Sequence, residues 1–319
     1  MKLADVVEDY VALKRSTGLR FRTAGTILKA FSRAAGPIDV NDVGQEAVRR
    51  FLNASKQVTS TWHLNHYTVA GLFRFAVQRG LVSTSPVSYL VPKRPAYAKP
   101  YIYSADELRR LLDGTKALDL RHPKSGQPAR IPALTFRTLI LLLYGAGLRL
   151  SEALMLTVDD VDFSANLLVV RMTKFFKTRL LPIGPKLSSA LGLYAEKRLA
   201  LVDRPPSGNA FLLRRRGTAI SRYAAERYFR ILRSRLSIER RDGAYFQPRL
   251  HDFRHSFAVH RLVAWYREGA DVQLLLPKLS TYLGHVRLAE TQHYLTMTPD
   301  LLREAGRRFE SYANPPVQP

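Results

Sequence analysis

The sequence contains no cysteine among its 319 residues. That absence excludes a disulfide scaffold, a cysteine nucleophile and any metal site built on thiolates. Long apolar runs are also lacking, because the longest, Thr138 to Ala146, is far too short to span a bilayer. Acidic residues stand among the first ten positions, where a signal peptide would need an apolar run. We therefore expect a cytoplasmic protein that does not associate with membranes.

Carboxylates are scarce as well. Asp and Glu number 26 against 50 Lys and Arg, a formal net charge of +24. The chain has no carboxylate between Glu46 and Asp106, and residues 201–250 hold 12 basic side chains against 4 acidic ones. With 46% hydrophobic residues the chain can form a core, so the excess charge indicates a polyanionic partner. Two separate basic regions favour a clamp on a phosphate backbone, although either could be a solvated face.

The first third of the chain carries apolar residues at helical spacing. The pattern predicts helices over residues 3–15, over about 23–34 and over roughly 60–79, with a further helix capped by Asn41 or Asp42. Four short amphipathic helices predict a compact bundle.

A basic stretch with three prolines, from Ser83 to Lys99, is typical of an interdomain linker. We therefore expect a helical domain over residues 1–95, a linker over 96–103 and a second domain over 104–319. Ser104 and Glu107 match a capping box at the start of the second domain.

The second domain is expected to be mainly helical, with a small antiparallel sheet. An apolar helix is predicted over residues 133–145. Three short β-prone runs follow it, at 161–163, 167–172 and 179–183, and the helical pattern returns from Lys186.

The first polar motif is Gly147-Leu-Arg149-Leu-Ser151-Glu152. An arginine just past a glycine-rich bend, with a carboxylate three residues later, is placed so that Glu152 can orient a guanidinium toward a ligand. The alternative is an ordinary surface pair at helical i, i+3 spacing.

The second motif is His251-Asp-Phe-Arg254-His255. On a helix, residues 251, 254 and 255 share one face, which suits a phosphodiester because arginine binds two oxygens and histidine moves protons near neutral pH. A zinc site is an alternative, since H-D-x-x-H is similar to a metalloprotease pattern with Asp252 in place of glutamate. For His255 alone, the expected role is a core histidine bonded to backbone.

The third motif is Leu283-Gly-His285, followed nine residues later by Tyr294. A single tyrosine is usually a packing residue. A phenol can nevertheless attack phosphorus when positive groups stabilise the charge that develops. Tyr282, close to the same motif, is the competing candidate.

Together these motifs resemble the tyrosine recombinases, the family of phage integrases and Xer recombinases. The family's motifs occur here in order as Arg149, Lys174, His251 with Arg254, His285 and Tyr294. The turn Thr173-Lys174-Phe-Phe-Lys177-Thr-Arg179 is similar to the family's T-K-x-x-K-x-R hairpin, in which the first lysine carries the role. The resemblance covers residues 104–312 in detail, and the N-terminal helices match only as a type of core-binding bundle.

The resemblance implies a site-specific recombinase shaped as a C-clamp that needs no metal or other cofactor. Tyr294 would attack the scissile phosphate and form a 3′-phosphotyrosyl link. Arg149 and Arg254 would bind the non-bridging oxygens, with Glu152 in support. Lys174 would protonate the departing 5′-oxygen. The histidines would complete the set, with His251 as acid/base for the phenol and His285 as a hydrogen-bond donor to the phosphate.

The implied partner is double-stranded DNA with paired inverted-repeat half-sites, bound by a homotetramer in the nucleoid, with or without a second recombinase or a DNA-bending protein. The expected DNA-binding side chains are all basic: Lys56, Arg74, Arg79, Lys93, Arg94, Lys99, Lys177 and Arg179. Two alternatives are a type IB topoisomerase and a non-catalytic DNA-binding module. The DNA sequence and the element served stay open.

Two further features concern the C-terminal third. The interval from Arg254 to His285 is longer than in compact members of the family by roughly two helical turns. After Tyr294, an apolar stripe of Leu301, Leu302 and Phe309 either packs on its own domain or docks on a neighbouring subunit.

Overall fold

The computed structural model describes residues 1–54, 57–95, 99–119, 130–171, 178–244, 246–296 and 299–313. The predicted residues Lys56, Lys174 and Lys177 lie outside these ranges. The chain divides into two compact units, Met1–Tyr97 and Ala98–Pro319.

The first unit holds four described α-helices: α1 (Leu3–Ser16), α2 (Arg22–Ala35), α3 (Gln45–Leu52) and α4 (Ser60–Gln78). Helix α2 packs against both α1 and α4, and buries Leu28 and Phe31. The predicted cap of the third helix is wrong. Asn41 and Asp42 belong to a short 3₁₀ turn, in which the Asn41 amide donates to the Asp39 side chain, and α3 begins after Gly44.

The second unit is also mostly helical. Its described α-helices are α5 (Ala105–Gly114), α6 (Ala133–Gly145), α7 (Leu150–Met155), α8 (Pro185–Lys197), α9 (Arg222–Arg235), α10 (Asp252–Arg267), α11 (Val272–Leu283), α12 (Ala289–Gln292) and α13 (Pro299–Ala313). The capping box predicted before α5 is present, with Ser104 and Glu107 exchanging hydrogen bonds. Within the described ranges, no helix combines the length and apolar character that crossing a membrane requires.

A small antiparallel sheet interrupts the helices. Strand β1 (Val161–Asp162) pairs with β2 (Leu167–Val170), which pairs with β3 (Arg179–Pro182), so that Val170 lies opposite Arg179. The expected class, mainly α with a small antiparallel sheet, is confirmed.

Helix α6 forms the centre of the second unit, and its end positions the candidate site. Its side chains Phe136, Leu139 and Leu142 are fully buried, and it packs against α10. Gly147, just past its end, has φ of +60°, and a Cβ there would lie 2.6 Å from the Phe257 ring of α10. Only glycine permits this approach, which brings the chain entering α7 against α10.

Candidate active site

The structure brings together five of the six predicted catalytic residues and the supporting Glu152, and the sixth, Lys174, lies outside the described residues. Arg149 precedes α7, and Arg254 lies in the first turn of α10. His251 caps α10, His285 follows the C-terminal end of α11, and Tyr294 lies in a 3₁₀ turn over His293–Thr296.

Arg254 is almost completely buried, at 2% exposure. Its guanidinium donates to the carbonyl of Gly147 at 2.8 Å and to that of Leu283 at 2.5 Å. Burial, followed by the positive charge of Arg149, lowers the pKa of Arg254 to about 10. Arg254 therefore stays charged at neutral pH.

Glu152 holds the arginines at one place. It accepts from Arg149 Nη1 at 2.8 Å, and from Arg179 at 3.1 and 2.9 Å in a bidentate pair. Arg254 Nη1 lies 3.9 Å from the same carboxylate. Burial alone would raise the pKa of Glu152, but the hydrogen bonds and charge of Arg179, with further bonds from Arg149, lower it to about 2.

We refer to Arg149, Arg179 and Arg254 as the arginine cluster. Three guanidinium groups around one carboxylate leave a local excess of two positive charges. The side chain of Arg149 is 28% exposed, so the cluster faces solvent at this point. Guanidinium groups bind phosphate oxygens in a planar, bidentate manner, and the arrangement therefore suits a phosphodiester.

Arg179 was predicted to contact DNA, and the structure places it inside the site. Its side chain is 14% exposed and its Nε donates to the carbonyl of Tyr282 at 3.1 Å. Sequence reasoning missed this contact because the ion pair joins residues 27 positions apart, and no periodicity connects them.

The C-terminal end of α11 presents three consecutive carbonyls to the arginine cluster. Tyr282 accepts from Arg179, Leu283 from Arg254, and Gly284 from Arg149. The last carbonyls of a helix lack intrahelical partners and carry partial negative charge, so cations are favoured there. Gly284 itself has φ of +67°, and a Cβ on it would lie 2.9 Å from Arg179 Nη1, which explains the glycine of the Leu-Gly-His motif.

The Tyr294 phenol lies among histidines. Tyr294 is 2% exposed, and its Oη lies 3.1 Å from Nδ1 of His255. The expectation that His255 bonds to backbone is therefore wrong. His285 stacks on the phenol ring with 6.1 Å between centroids, and its Nδ1 lies 2.7 Å from the Thr291 hydroxyl. His251 packs edge-on against His255, with centroids 4.7 Å apart.

All three histidines are held neutral at pH 7. Burial, then the charges of Arg254 and Arg249, lowers the pKa of His255 to about 4. Burial, then Arg254 and Arg149, lowers the pKa of His285 to about 3. Desolvation, followed by the nearby His255 and Arg254, also lowers the pKa of His251, although this residue is exposed. A bound phosphate anion would oppose the arginine charges and raise all three values.

The alternatives raised by the sequence have other partners here. Asp252, the candidate base of a zinc site, accepts from the backbone and side chain of Arg249. Within the described residues, no group of three His, Asp or Glu side chains is placed to hold a metal ion. The hydroxyl of Tyr282, the competing nucleophile, donates to the carbonyl of Pro182 at 3.1 Å.

A basic cavity of about 580 Å³ adjoins the site. Arg149 and His251 line it on one side, and Arg222, Arg230 and Arg249 contribute further guanidinium groups. The sequence indicated only that residues 201–250 are basic. The position of Arg222 and Arg230 on one helix is the signal by which these particular side chains could have been found.

The remaining predicted DNA contacts are exposed side chains. Arg74, Arg79, Lys93 and Arg94 are exposed in the first unit, and Lys99 is exposed in the second. Arg94 lies over the ring of Tyr67 at 5.4 Å, which holds its charge at the surface.

Comparison with known proteins adds independent findings. The phage integrase family matches residues 104–300. The chain is 33% identical over 305 residues to the integrase/recombinase y4rB of Sinorhizobium fredii, covering 95% of this chain and 96% of that protein. It is 32% identical over 281 residues to the tyrosine recombinase XerD of Mycobacterium tuberculosis, covering 84% of this chain and 83% of that protein.

Solved structures share the fold. An integrase of the transposon Tn1549, in complex with transposon right end DNA, is 15% identical with a TM-score of 0.69 and covers 98% of this chain and 100% of its own. A lambda integrase dimer bound to a COC′ core site is 17% identical with a TM-score of 0.67, covering 94% and 97%.

Proposed function

Because the chain belongs to the phage integrase family of tyrosine recombinases, we propose that Tyr294 cuts and rejoins duplex DNA at the arginine cluster. The observation that carries this proposal is the placement of the buried Tyr294 phenol. It lies against His255 and His285 and interacts electrostatically with Arg254, one of the three guanidinium groups around a single carboxylate. A phosphodiester bound there meets a nucleophile and a compensating charge at the same place.

The chemistry proceeds in two balanced steps. The Tyr294 oxygen gives its proton to a neighbouring histidine and forms a bond to phosphorus while the bond from phosphorus to the 5′-oxygen breaks. This leaves a 3′-phosphotyrosyl link and a 5′-hydroxyl. A 5′-hydroxyl of the partner strand then attacks phosphorus and releases the phenol. Arg149 and Arg254 stabilise the additional negative charge on the phosphoryl oxygens in each transition state. His285 donates a hydrogen bond to the phosphate, and Lys174 protonates the leaving oxygen. The bond energy stays in the phosphotyrosine, so strand rejoining needs no further energy source.

Strand exchange between two duplexes needs four protomers, and we assign a homotetramer on paired inverted-repeat half-sites. A lambda integrase of the same fold has been solved as a tetramer bound to a Holliday junction, which supports this assembly. The first unit contributes exposed basic side chains to DNA binding, and the cavity lined by α7, α9 and residues 248–251 contributes others. A second recombinase or a DNA-bending protein remains compatible with this assignment.

Recombination is favoured over topoisomerase activity by the relatives, which are named integrases and Xer recombinases. A relaxation assay on supercoiled plasmid, run beside a two-site recombination assay, separates the two activities. We expect recombination that depends on two sites.

The nucleophile is tested by trapping the covalent adduct. Selection from a random duplex pool first supplies the binding site, and a nick beside the scissile phosphate then makes cleavage irreversible. Tyr294→Phe removes one oxygen and little packing, so we expect DNA binding to survive and the denaturant-resistant adduct to vanish. Tyr282→Phe is the matched control and should form the adduct. An adduct with Tyr294→Phe, or its loss with Tyr282→Phe, contradicts the assignment.

A further inference from the structure

His255 is a candidate for a role in the reaction that the recognised motifs leave to other residues. It lies on α10 one residue after Arg254, and its side chain is buried with 8% exposure. Its Nδ1 lies 3.1 Å from the Tyr294 hydroxyl, within the 2.6–3.2 Å range expected for a group that takes a proton directly. His251, which the family resemblance makes the acid/base for the phenol, packs edge-on against the His255 ring.

We propose that His255 is the residue that accepts the hydroxyl proton of Tyr294 during cleavage and returns it during religation. This inference rests on the proposed function of Tyr294. The phenol O–H bond breaks as the bond from Oη to phosphorus forms, and the proton moves to Nδ1 of His255. The bond from phosphorus to the 5′-oxygen breaks in the same step, and that oxygen takes its proton from a separate acid, Lys174.

The surroundings of His255 keep it able to accept. To receive a proton at Nδ1 the ring must be neutral, with its own proton on Nε2. Four charged or titratable groups face His255. Arg249 and His251 lie just before α10, Arg254 lies on α10 itself, and His285 follows α11. The two arginines and burial favour the neutral ring. An arriving phosphodiester opposes the arginine charges, so the ring becomes a stronger base when substrate is bound.

The chain offers a matched control for substitution of His255. His260 lies on the same helix and forms the same kind of pair, with Nδ1 2.9 Å from the hydroxyl of Tyr144. We compare His255→Gln and His260→Gln on the nicked substrate, following adduct formation under single-turnover conditions from pH 6 to pH 9. Thermal unfolding and binding to uncut DNA establish that each variant is folded.

At pH 7, His255→Gln should form the adduct about 100-fold more slowly or worse, as expected for loss of a general base. The defect should shrink with rising pH by up to about tenfold per unit, because hydroxide replaces the missing base. Incorporation of 3,5-difluorotyrosine at position 294, which acidifies the phenol, should also lessen the defect. His260→Gln should cleave like the parent protein.

Three results would overturn the proposal. Parent-like or faster cleavage by His255→Gln would show that His255 does not take the proton, and faster cleavage would mean that it restrains the phenol. A defect that is equal at every pH and unchanged by the fluorinated phenol would mean a purely structural role. The third result comes from the unsubstituted protein: nitrogen-15 NMR of the labelled imidazole should place the proton on Nε2, and a proton on Nδ1 contradicts the proposal.

The last measurement keeps the proposal testable even if His255→Gln does not fold. The outcomes also separate this inference from the proposed function. If Tyr294→Phe abolishes the adduct while His255→Gln cleaves normally, only the role of His255 fails. If the adduct survives Tyr294→Phe, the nucleophile itself is misassigned.

Discussion

Glu152→Gln should destabilise the second unit strongly because Glu152 is the carboxylate shared by the arginine cluster. The substitution preserves shape while removing the charge that faces Arg254, a guanidinium of 2% exposure. Removing one partner of a buried ion pair leaves the other uncompensated, which typically costs about 3–5 kcal/mol. The pKa of Glu152 gives an independent magnitude. Its fall from 4.5 to about 2 corresponds to about 3 kcal/mol of stability at pH 7.

The pH dependence fixes the sign. A lowered pKa means that the folded state holds the proton less tightly than the unfolded chain. The contribution of Glu152 is therefore complete above the unfolded pKa of 4.5 and is lost as pH falls toward about 2. At pH 3.5 the difference in unfolding free energy between parent and Glu152→Gln should be smaller than at pH 7 by about 1 kcal/mol.

Urea unfolding of the full chain at pH 7 and pH 3.5 measures both quantities. Glu226→Gln is the matched control, because Glu226 pairs with Arg222 at i, i+4 spacing on the exposed face of α9. An exposed pair contributes no more than about 1 kcal/mol. If Glu152→Gln loses no more stability than Glu226→Gln, or if its loss does not depend on pH, the carboxylate does not hold the cluster as argued.

Three further predictions concern catalysis, DNA binding and assembly. Lys174→Ala should slow cleavage. A substrate with sulfur in place of the leaving 5′-oxygen should restore much of the rate, because a thiolate leaves without protonation. If this substrate does not restore the rate, Lys177 is the acid or Lys174 is a phosphate contact. The salt dependence of DNA binding should have a slope near −0.9 per phosphate contact. Charge reversal of the exposed Lys93, Arg94 and Lys99 together should flatten this slope by a few units. An unchanged slope would identify these side chains as a solvated face. In α13, Leu301 is buried, so Leu301→Ala should lower the free energy of unfolding by about 2–5 kcal/mol. Leu302 is 55% exposed, so Leu302→Ser combined with Phe309→Ser should keep the fold and the binding to one half-site while reducing cooperative binding to two half-sites. Undiminished cooperativity in a gel-shift titration would exclude docking through this face.

Local signals in the sequence predicted most elements of the fold. The capping box at Ser104 and the apolar pattern over residues 133–145 each depend on neighbours within one or two turns, and both predictions match the structure. The cap of α3 failed because two good capping residues, Asn41 and Asp42, precede a third possible start at Gly44. Both residues lie inside a 3₁₀ turn that the Asp39 side chain caps.

The site was predictable to the extent that its residues belong to ordered motifs. The spacing that leads to Arg149, Arg254 and Tyr294 is visible along the chain, and the structure places these residues together. The inward turn of Arg179 and the partner of His255 were not predictable, because each depends on a residue far away in sequence. Such contacts follow from how α10, α11 and β3 meet, and no local pattern encodes that meeting.

The three carbonyls at the end of α11 bear on how the chain tolerates insertion and deletion. These carbonyls fix the last turn of α11 relative to α7, α10 and β3, whatever the path by which the chain arrives there. The segment between Arg254 and His285 lies upstream of this anchored end, in the continuation of α10 to Arg267, the connection after it and α11 from Val272. Insertion or deletion in that segment changes the length of the connection without changing the position of the Leu-Gly-His motif. By contrast, one residue added between Leu283 and Gly284 would displace the Gly284 carbonyl from the Arg149 guanidinium to which it is bonded.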